Sequence, residues 1–242
     1  MESNFNGYKR INFDFQGREA IIVFPNTAEY KKEWMLKTEY FGAFFDKIEK
    51  AMLDEGYILA YVKNVSRWGT DGDQRVKRDF AEYMHEKYGV GRKCICIGMS
   101  CGGFHAVCFA SRYPSYVSLL YLDAPLLSFD GWHDCFSEEE RQGWRAEQML
   151  AYGFTDKSEL FVYNDCPIKR LKTLTDNKIP VALVYGGSDT VVDCKKNAEP
   201  LIAYYKLHNT PIKVWCKPEC DHHPHGLDDN TEVIEFIENN KL

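Results

Sequence analysis

Short runs of valine, isoleucine, leucine and tyrosine alternate along this chain with segments of helical periodicity. The runs are nearly free of polar residues, which is typical of strands covered by helices on both faces. Strand–helix–strand order predicts a mostly parallel sheet with crossover helices, after a first antiparallel hairpin. The expected strands are residues 11–15, 19–24, 57–62, 93–97, 118–122, 181–185 and 212–216. The expected helices are residues 40–53, 76–88, 102–112, 199–207 and 231–238.

One connection is much longer than the others. About sixty residues separate the strands at 118–122 and 181–185, whereas most connections have fewer than about fifteen. This segment combines many charges with aromatic residues such as Trp132 and Trp144. Because no linker or internal repeat divides the chain, we predict a single domain over residues 1–242. A helical cap is expected at approximately residues 125–178.

The most specific motif is Gly98-Met99-Ser100-Cys101-Gly102-Gly103, which directly follows the expected strand 93–97 and opens the next helix. A Gly-x-Ser-x-Gly sequence between a strand and a helix forms a sharp turn that lifts the serine hydroxyl above the sheet. The glycines are needed because a Cβ at either flank would collide with the neighbouring strand or helix. The motif therefore predicts that Ser100 is a nucleophile.

A serine hydroxyl needs a base, and the base is oriented by a carboxylate. After a turn of this kind, the acid and then the histidine follow later strands. Asp189 comes just after residues 181–185, and His222 comes after residues 212–216. These positions predict a triad of Ser100, His222 and Asp189.

Each of the two partners has a rival nearby. Asp193 is the alternative acid, although it stands where it can cap a helix. His223 is the alternative base, and His225 is expected to order the loop by hydrogen bonding. Cys216 and Cys220 beside these histidines resemble zinc ligands, but their spacing fits no common structural zinc site. We therefore expect no metal and no cofactor.

The remaining expectations concern the oxyanion and the pocket. The backbone N–H of Cys101 is the expected first donor to an oxyanion, and its thiol is expected to point inward. The second donor is expected after Phe24, from Asn26 or Thr27. The candidate pocket residues are Trp34, Lys37, Glu39, Trp68 and Trp132.

Taken together, these residues resemble the α/β-hydrolase superfamily over nearly the whole chain. The chain looks most similar to small bacterial esterase-like hydrolases associated with polysaccharide utilisation. That likeness rests on residues 34–44, the Ser100 turn, Tyr121-Leu122-Asp123-Ala124-Pro125 and His222-His223-Pro224-His225. It implies the α/β-hydrolase fold, with Ser100 as nucleophile, Asp189 as acid and His222 as base. Similar sequences often carry arginine where this chain has Cys101 and Lys37, which leaves the substrate open.

The expected activity is that of a carboxylesterase that cleaves small acyl esters through an acyl-enzyme. Acetylated or otherwise esterified carbohydrates are candidate substrates, because tryptophans around the site suit sugar rings. A peptidase or amidase of the same fold is the first alternative, since a triad alone does not choose between esters and amides. A non-catalytic binding protein that retains the pocket is the second.

Charge and composition exclude some other classes. The net charge of −6 gives no basic footprint for nucleic acid. No apolar run approaches the roughly 18 residues of a membrane span. The odd number of cysteines and the absence of an apolar signal core near Met1 lead us to expect a cytoplasmic protein. The expected partner is a small-molecule ester, and the oligomeric state is open.

Overall fold

The computed structural model describes residues 2–163 and 165–242, without the side chain of Phe161, and this part of the chain contains one nine-stranded sheet. The strand order is β1-β2-β3-β5-β4-β6-β7-β8-β9. The strands are β1 (Glu2–Phe5), β2 (Tyr8–Phe15), β3 (Arg18–Phe24), β4 (Trp34–Lys37), β5 (Ile58–Val62), β6 (Cys94–Met99), β7 (Val117–Asp123), β8 (Val181–Gly186) and β9 (Ile212–Lys217). β1 to β3 form an antiparallel meander, β3 runs antiparallel to β5, and β4 to β9 are parallel.

Helices cover both faces of this sheet. They are α1 (Ile48–Asp54), α2 (Asp71–Tyr88), α3 (Cys101–Arg112), α4 (Glu138–Tyr152), α5 (Lys157–Val162), α6 (Leu171–Asp176), α7 (Ala198–Leu207) and α8 (Thr231–Asn240). Helices α2, α3, α6 and α7 pack on one face, and α1 and α8 pack on the other. Alternate residues of each strand enter the two cores, as the pleat of a strand requires. The predicted α/β-hydrolase fold is therefore confirmed.

The expected strands are all present, but two further strands were missed. β1 and β4 have only four residues each, too few for a periodic pattern to be visible. β4 lies between β5 and β6 in the middle of the sheet. The helix expected at 40–53 is accordingly shorter, because residues 41–47 form turns after β4 and α1 begins only at Ile48.

The long connection between β7 and β8 contains α4, α5 and α6. Its aromatic residues form a third apolar cluster against α3 and the loop after β5, with Phe104, Phe129, Trp132 and Trp68 among its buried members. The end of the connection does not join this cluster. Helix α6 packs instead into the core on the face of the sheet that α2, α3 and α7 cover. Within the described residues, no helix is both long enough and apolar enough to cross a membrane.

A buried ion pair fixes the start of the turns after β4. The Lys37 ammonium, at the end of β4, donates a hydrogen bond to the Glu49 carboxylate on α1, and both side chains are buried. Burial raises the pKa of the Glu49 carboxyl, and the Lys37 charge opposes that rise. The pair ties α1 to β4 and so anchors both ends of the loop between them.

Breaking this pair from one side should be costly, because it leaves a buried group without its partner. We expect Lys37→Met to lower the free energy of unfolding in urea by about 3–5 kcal/mol. The double variant Lys37→Met/Glu49→Leu should recover most of that loss. Lys172→Met, which breaks an exposed pair with Asp176, is the control and should change little. Equal effects of Lys37→Met and Lys172→Met would contradict this role of the pair.

Candidate active site

Ser100 occupies a strained turn between β6 and α3. Its φ is 52° and its ψ is −123°, a conformation that residues with a Cβ rarely adopt. Three backbone hydrogen bonds hold it: its N–H donates to Asp123 O at 3.0 Å, and its carbonyl accepts from Gly103 at 2.9 Å and Leu126 at 3.0 Å. The turn leaves the hydroxyl half-buried at the carboxyl edge of the parallel strands.

Two glycines make this turn possible. A Cβ on Gly98 would lie 2.6 Å from the Gly102 carbonyl oxygen, and a Cβ on Gly103 would lie 2.4 Å from Pro125 Cβ. Both distances are shorter than any normal contact. The steric requirement expected from the motif is therefore met at Gly98. The second glycine of the motif, Gly102, would place a Cβ in a tight contact 3.3 Å from Thr38 Oγ1, and the clash on the helix side falls at Gly103.

The structure brings the three predicted triad residues into one hydrogen-bonded chain. His222 Nε2 lies 3.1 Å from Ser100 Oγ, and His222 Nδ1 lies 2.8 Å from Asp189 Oδ2. Because a carboxylate only accepts, Nδ1 carries the hydrogen and Nε2 has the free lone pair. The other oxygen of Asp189 accepts the N–H groups of Val191 and Val192, each at 2.8 Å. Asp189 is thus held in position to orient His222.

The rival residues have other contacts. Asp193 caps the short 3-10 turn that follows it, through the N–H of Lys195. His223 is exposed and stacks on Phe44, with ring centroids 5.5 Å apart. His225 is buried, and its Nδ1 lies 2.9 Å from Asp123 Oδ1. His225 therefore ties the loop after β9 to the end of β7, in keeping with its expected ordering role.

Cys101 begins α3 beside Ser100. Its backbone N–H lies at the positive end of the helix, where an oxyanion is stabilised. Its side chain points inward, and burial raises the pKa of the Cys101 thiol to about 11. The thiol therefore stays protonated at neutral pH and does not compete with the hydroxyl as a nucleophile.

The prediction of Asn26 as second oxyanion donor is wrong. Asn26 follows β3, which runs antiparallel to β5, so the end of β3 lies at the opposite edge of the sheet from Ser100. Its side chain there donates to the Gly7 carbonyl at 3.2 Å. Thr27 lies in the same loop. The error follows from missing β4, the strand next to β6.

The loop that does reach Ser100 comes after β4. Thr38 Oγ1 donates to the carbonyls of Gly102 at 2.7 Å and Ile97 at 3.0 Å, which fixes this loop against the start of α3. Tyr40 then turns left-handed, with φ of 55°, beside Cys101. Burial, followed by the neighbouring Cys101 thiol, raises the pKa of the Tyr40 phenol. The phenol therefore remains a hydrogen-bond donor.

A buried polar cluster supports this loop from behind. Asn64 Nδ2 donates to the Thr38 carbonyl at 2.7 Å, and the Lys77 ammonium donates to Asn64 Oδ1. Burial lowers the pKa of Lys77 to about 8. Lys77 also lies 3.2 Å from His105 Nδ1, which places both residues behind the loop and outside the pocket.

Ser100 opens into a cavity of about 390 Å³. Its walls are mainly aromatic, formed by Tyr40, Phe44, Trp132 and Trp144. The two tryptophans stack with ring centroids 4.2 Å apart. Arg67 and the three histidines 222, 223 and 225 supply the polar groups. Neither Tyr40 nor Arg67 was predicted, although each is adjacent to a predicted pocket residue, Glu39 or Trp68. The sequence indicated these two loops but not which of their side chains face the cavity.

Of the five residues predicted to line the pocket, only Trp132 lines this cavity. Trp34 is buried at the amino end of β4, at the opposite edge, and donates to the Gly91 carbonyl at 2.8 Å. Lys37 is buried in its ion pair. The Glu39 carboxylate accepts from Asn64 behind the loop. Trp68 is buried against Trp132 and borders an adjoining groove of about 460 Å³, which shares Arg67 with the cavity. The prediction is wrong for these four.

Comparison with known proteins agrees with this architecture. A family model described as the alpha/beta hydrolase fold matches residues 66–167. None of the curated proteins compared with the sequence matches it. The family model and the sheet order both show the α/β-hydrolase fold.

Solved structures share the fold at low identity. Dipeptidyl peptidase 4 of Porphyromonas gingivalis has a TM-score of 0.68 and 14% identity over 98% of this chain. The acylaminoacyl peptidase of Pyrococcus horikoshii has a TM-score of 0.68 and 12% identity over 97%. This chain covers only 36% and 41% of those two chains. At such identity the likeness shows the fold alone.

The environment of the Cys101 thiol can be tested by alkylation. At about pH 8, iodoacetamide should modify the exposed Cys135 and Cys216 while leaving Cys101 unmodified, because the reagent reaches only exposed thiols and burial raises the pKa of the Cys101 thiol. Peptide mapping by mass spectrometry gives the extent at each site. Modification of Cys101 as fast as that of Cys216 would show that its thiol is accessible and ionised.

Proposed function

We propose that this chain is a serine hydrolase in which Ser100 is the nucleophile, His222 the base and Asp189 the acid. The observation that carries the proposal is the hydrogen-bonded chain from Ser100 Oγ through His222 to Asp189, at a strained turn that opens into a cavity. A non-catalytic binding protein has no need of this alignment or of the strain at Ser100.

The chemistry is acyl transfer to water in two steps. His222 Nε2 takes the proton of Ser100 as its oxygen attacks the carbonyl carbon, and Asp189 stabilises the imidazolium. His222 then donates that proton to the leaving group, which departs and leaves an acyl-serine. Water, deprotonated by the same nitrogen, attacks the carbonyl carbon of the acyl-serine. The bond from that carbon to Ser100 Oγ then breaks, His222 returns the proton to Oγ, and the acid is released.

The oxyanion is assigned two donors. The first is the Cys101 N–H at the start of α3, and the second is the Tyr40 phenol. Tyr40 is supported by its place in the cavity wall beside Cys101 and by a pKa that keeps its O–H protonated. Donors fixed before the reaction stabilise the developing charge without reorganisation.

The cavity favours small acyl esters as substrates. Its volume of about 390 Å³ is at the lower end of the range for ligand sites. Trp132 and Trp144, which line the cavity and stack on each other, are aromatic side chains of the kind that packs against a sugar ring. We therefore propose a carboxylesterase, with esterified carbohydrates as candidate substrates.

A reducing compartment such as the cytoplasm is part of the proposal, supported by the free thiols of the chain.

A peptidase or amidase is the second candidate. The names of the two structural neighbours favour it. The cavity itself argues against an aminopeptidase, because its described lining has Arg67 and three histidines but no carboxylate to pair with a free ammonium group. Amide substrates with an uncharged acyl group remain compatible with the site.

The nucleophile can be tested with a fluorophosphonate probe. We expect the wild type to be labelled at Ser100 and Ser100→Ala to be unlabelled, with kcat on an activated ester lower by roughly 10⁴–10⁶. Ser111→Ala, also in α3, is the matched control and should label normally; its hydroxyl donates to Cys108 O at 3.1 Å and accepts from Arg170 Nη1 at 3.5 Å. Labelling of Ser100→Ala as strong as that of the wild type would refute the assignment.

The proposal that the Tyr40 phenol is the second oxyanion donor is tested by Tyr40→Phe. Removing the phenolic hydroxyl should lower kcat about 10²-fold or more with little change in KM, because the oxyanion exists only after attack. Tyr30→Phe, which removes an exposed hydroxyl bonded to the Tyr88 carbonyl, is the control. An unchanged kcat for Tyr40→Phe would assign the second donor elsewhere in the loop.

A substrate panel separates the two candidate functions. Acetyl, butyryl and octanoyl esters, acetylated oligosaccharides and aminoacyl amides should be compared by kcat/KM. We expect the acetyl and butyryl esters to be cleaved fastest, because the cavity is small and has no carboxylate for an amino group. A higher kcat/KM for the aminoacyl amides would favour the peptidase instead.

A further inference from the structure

Three imidazole rings meet at the mouth of the cavity. One ring nitrogen from each of His222, His223 and His225 lies within 4.8 Å of the others. The ring centroids are 4.9, 4.9 and 4.8 Å apart, with interplanar angles of 69°, 77° and 90°. Three imidazoles bound at about 2.0–2.1 Å around one tetrahedral ion would have centroids roughly 5 Å apart. The ring centroids therefore have the spacing of three ligands of one metal ion. The nitrogens, which lie within 4.8 Å of one another, must approach to about 3.3 Å to bind it.

Two of the rings are oriented by carboxylates. His222 donates its Nδ1–H to Asp189, and His225 donates its Nδ1–H to Asp123. Metal-binding histidines usually donate one N–H to such a group, which fixes the ring and makes the other nitrogen a better ligand. The Gly226 N–H and the Tyr121 hydroxyl hold Asp123 in turn. Nε2 of both histidines is thus the ligand-competent nitrogen.

The third ring completes the set from the solvent side. His223 is exposed and rests on Phe44, so it can rotate to close the small remaining gaps. Cys216 and Cys220 do not join the three-histidine cluster found among the described residues. The donor set is therefore three neutral nitrogens, which suits zinc and its neighbours among the transition metals and not magnesium or calcium.

We propose that His222, His223 and His225 bind one Zn²⁺ ion, and that this ion reversibly inhibits the hydrolase. The inhibition rests on the proposed function, because the lone pair of His222 Nε2 is the one that accepts the Ser100 proton. A zinc ion bound to that lone pair leaves Ser100 without its base. Binding of the ion does not depend on catalysis.

Binding is tested on Ser100→Ala, which has no nucleophile but keeps all three histidines. Isothermal titration with ZnCl₂, after iodoacetamide has blocked the exposed thiols, should give one saturable site per chain. His223→Phe in this background keeps a ring on Phe44 without any nitrogen and should weaken binding at least about tenfold. His208→Phe, an exposed histidine that contacts Tyr204, is the matched control and should bind like the parent. Equal affinity of His223→Phe and the parent, or no saturable site, would overturn the proposal.

The ligand type is tested with Co²⁺ in the same protein. We expect the visible absorption that is typical of four-coordinate Co²⁺ bound by histidine nitrogens. A sulfur-to-cobalt charge-transfer band would instead assign binding to cysteines and overturn the histidine site. MgCl₂ at the same concentration should not compete.

Inhibition is tested on the wild type. Micromolar Zn²⁺ should slow fluorophosphonate labelling of Ser100, and EDTA should restore it. His223→Phe, compared with its own metal-free rate, should need about tenfold more zinc for the same slowing. Zinc that binds without slowing the labelling would overturn the inhibitory role. A wild type that is never labelled would refute the proposed hydrolase while leaving the binding result intact.

Discussion

The hydrogen bonds that hold the Ser100 backbone in its left-handed turn determine the position of everything else in the site. In one of them the Ser100 N–H donates to the carbonyl of Asp123 at the end of β7, and in another the Ser100 carbonyl accepts from the N–H of Leu126 at the start of the long connection. The turn therefore joins β6, β7, α3 and the connection at one point. Because the carboxyl ends of parallel strands share one edge of the sheet, the loops with Asp189, His222 and Tyr40 meet at that same point.

The loop after β9, which contains His222, His223 and His225, is also held by the ends of neighbouring strands. Asp123 and Asp189 stand at the ends of the neighbouring strands β7 and β8, and each accepts from one histidine of the loop after β9. His225 anchors the loop to β7, and His222 is then directed toward Ser100. His223 lies between them in sequence and faces solvent. One short segment thus supplies an anchor, a base and an exposed ring.

Much of the fold could be predicted because its strands are long apolar runs and its serine turn has a strict sequence. The order of Ser100, Asp189 and His222 along the chain was enough to expect the contacts that the structure shows. β4 could not be found, because four residues carry no periodicity. Without β4 the second oxyanion donor was expected in the loop of Asn26 and not in the loop after β4, which reaches Ser100. Ion pairs such as that of Lys37 with Glu49 could not be predicted either, because two residues on different elements leave no local signal in the sequence.

The conformation of Ser100 also affects which substitutions at residue 100 evolution favours. Glycine adopts this backbone geometry without strain, so the commonest route to a more stable turn is also one that removes the hydroxyl. Stability and the proposed hydrolysis thus make opposite demands on a single position. Selection for folding alone would tend to replace the serine, and only a benefit from its oxygen atom would keep it. A lineage released from catalysis should therefore lose its function first at residue 100, and it would become more robust as it did so.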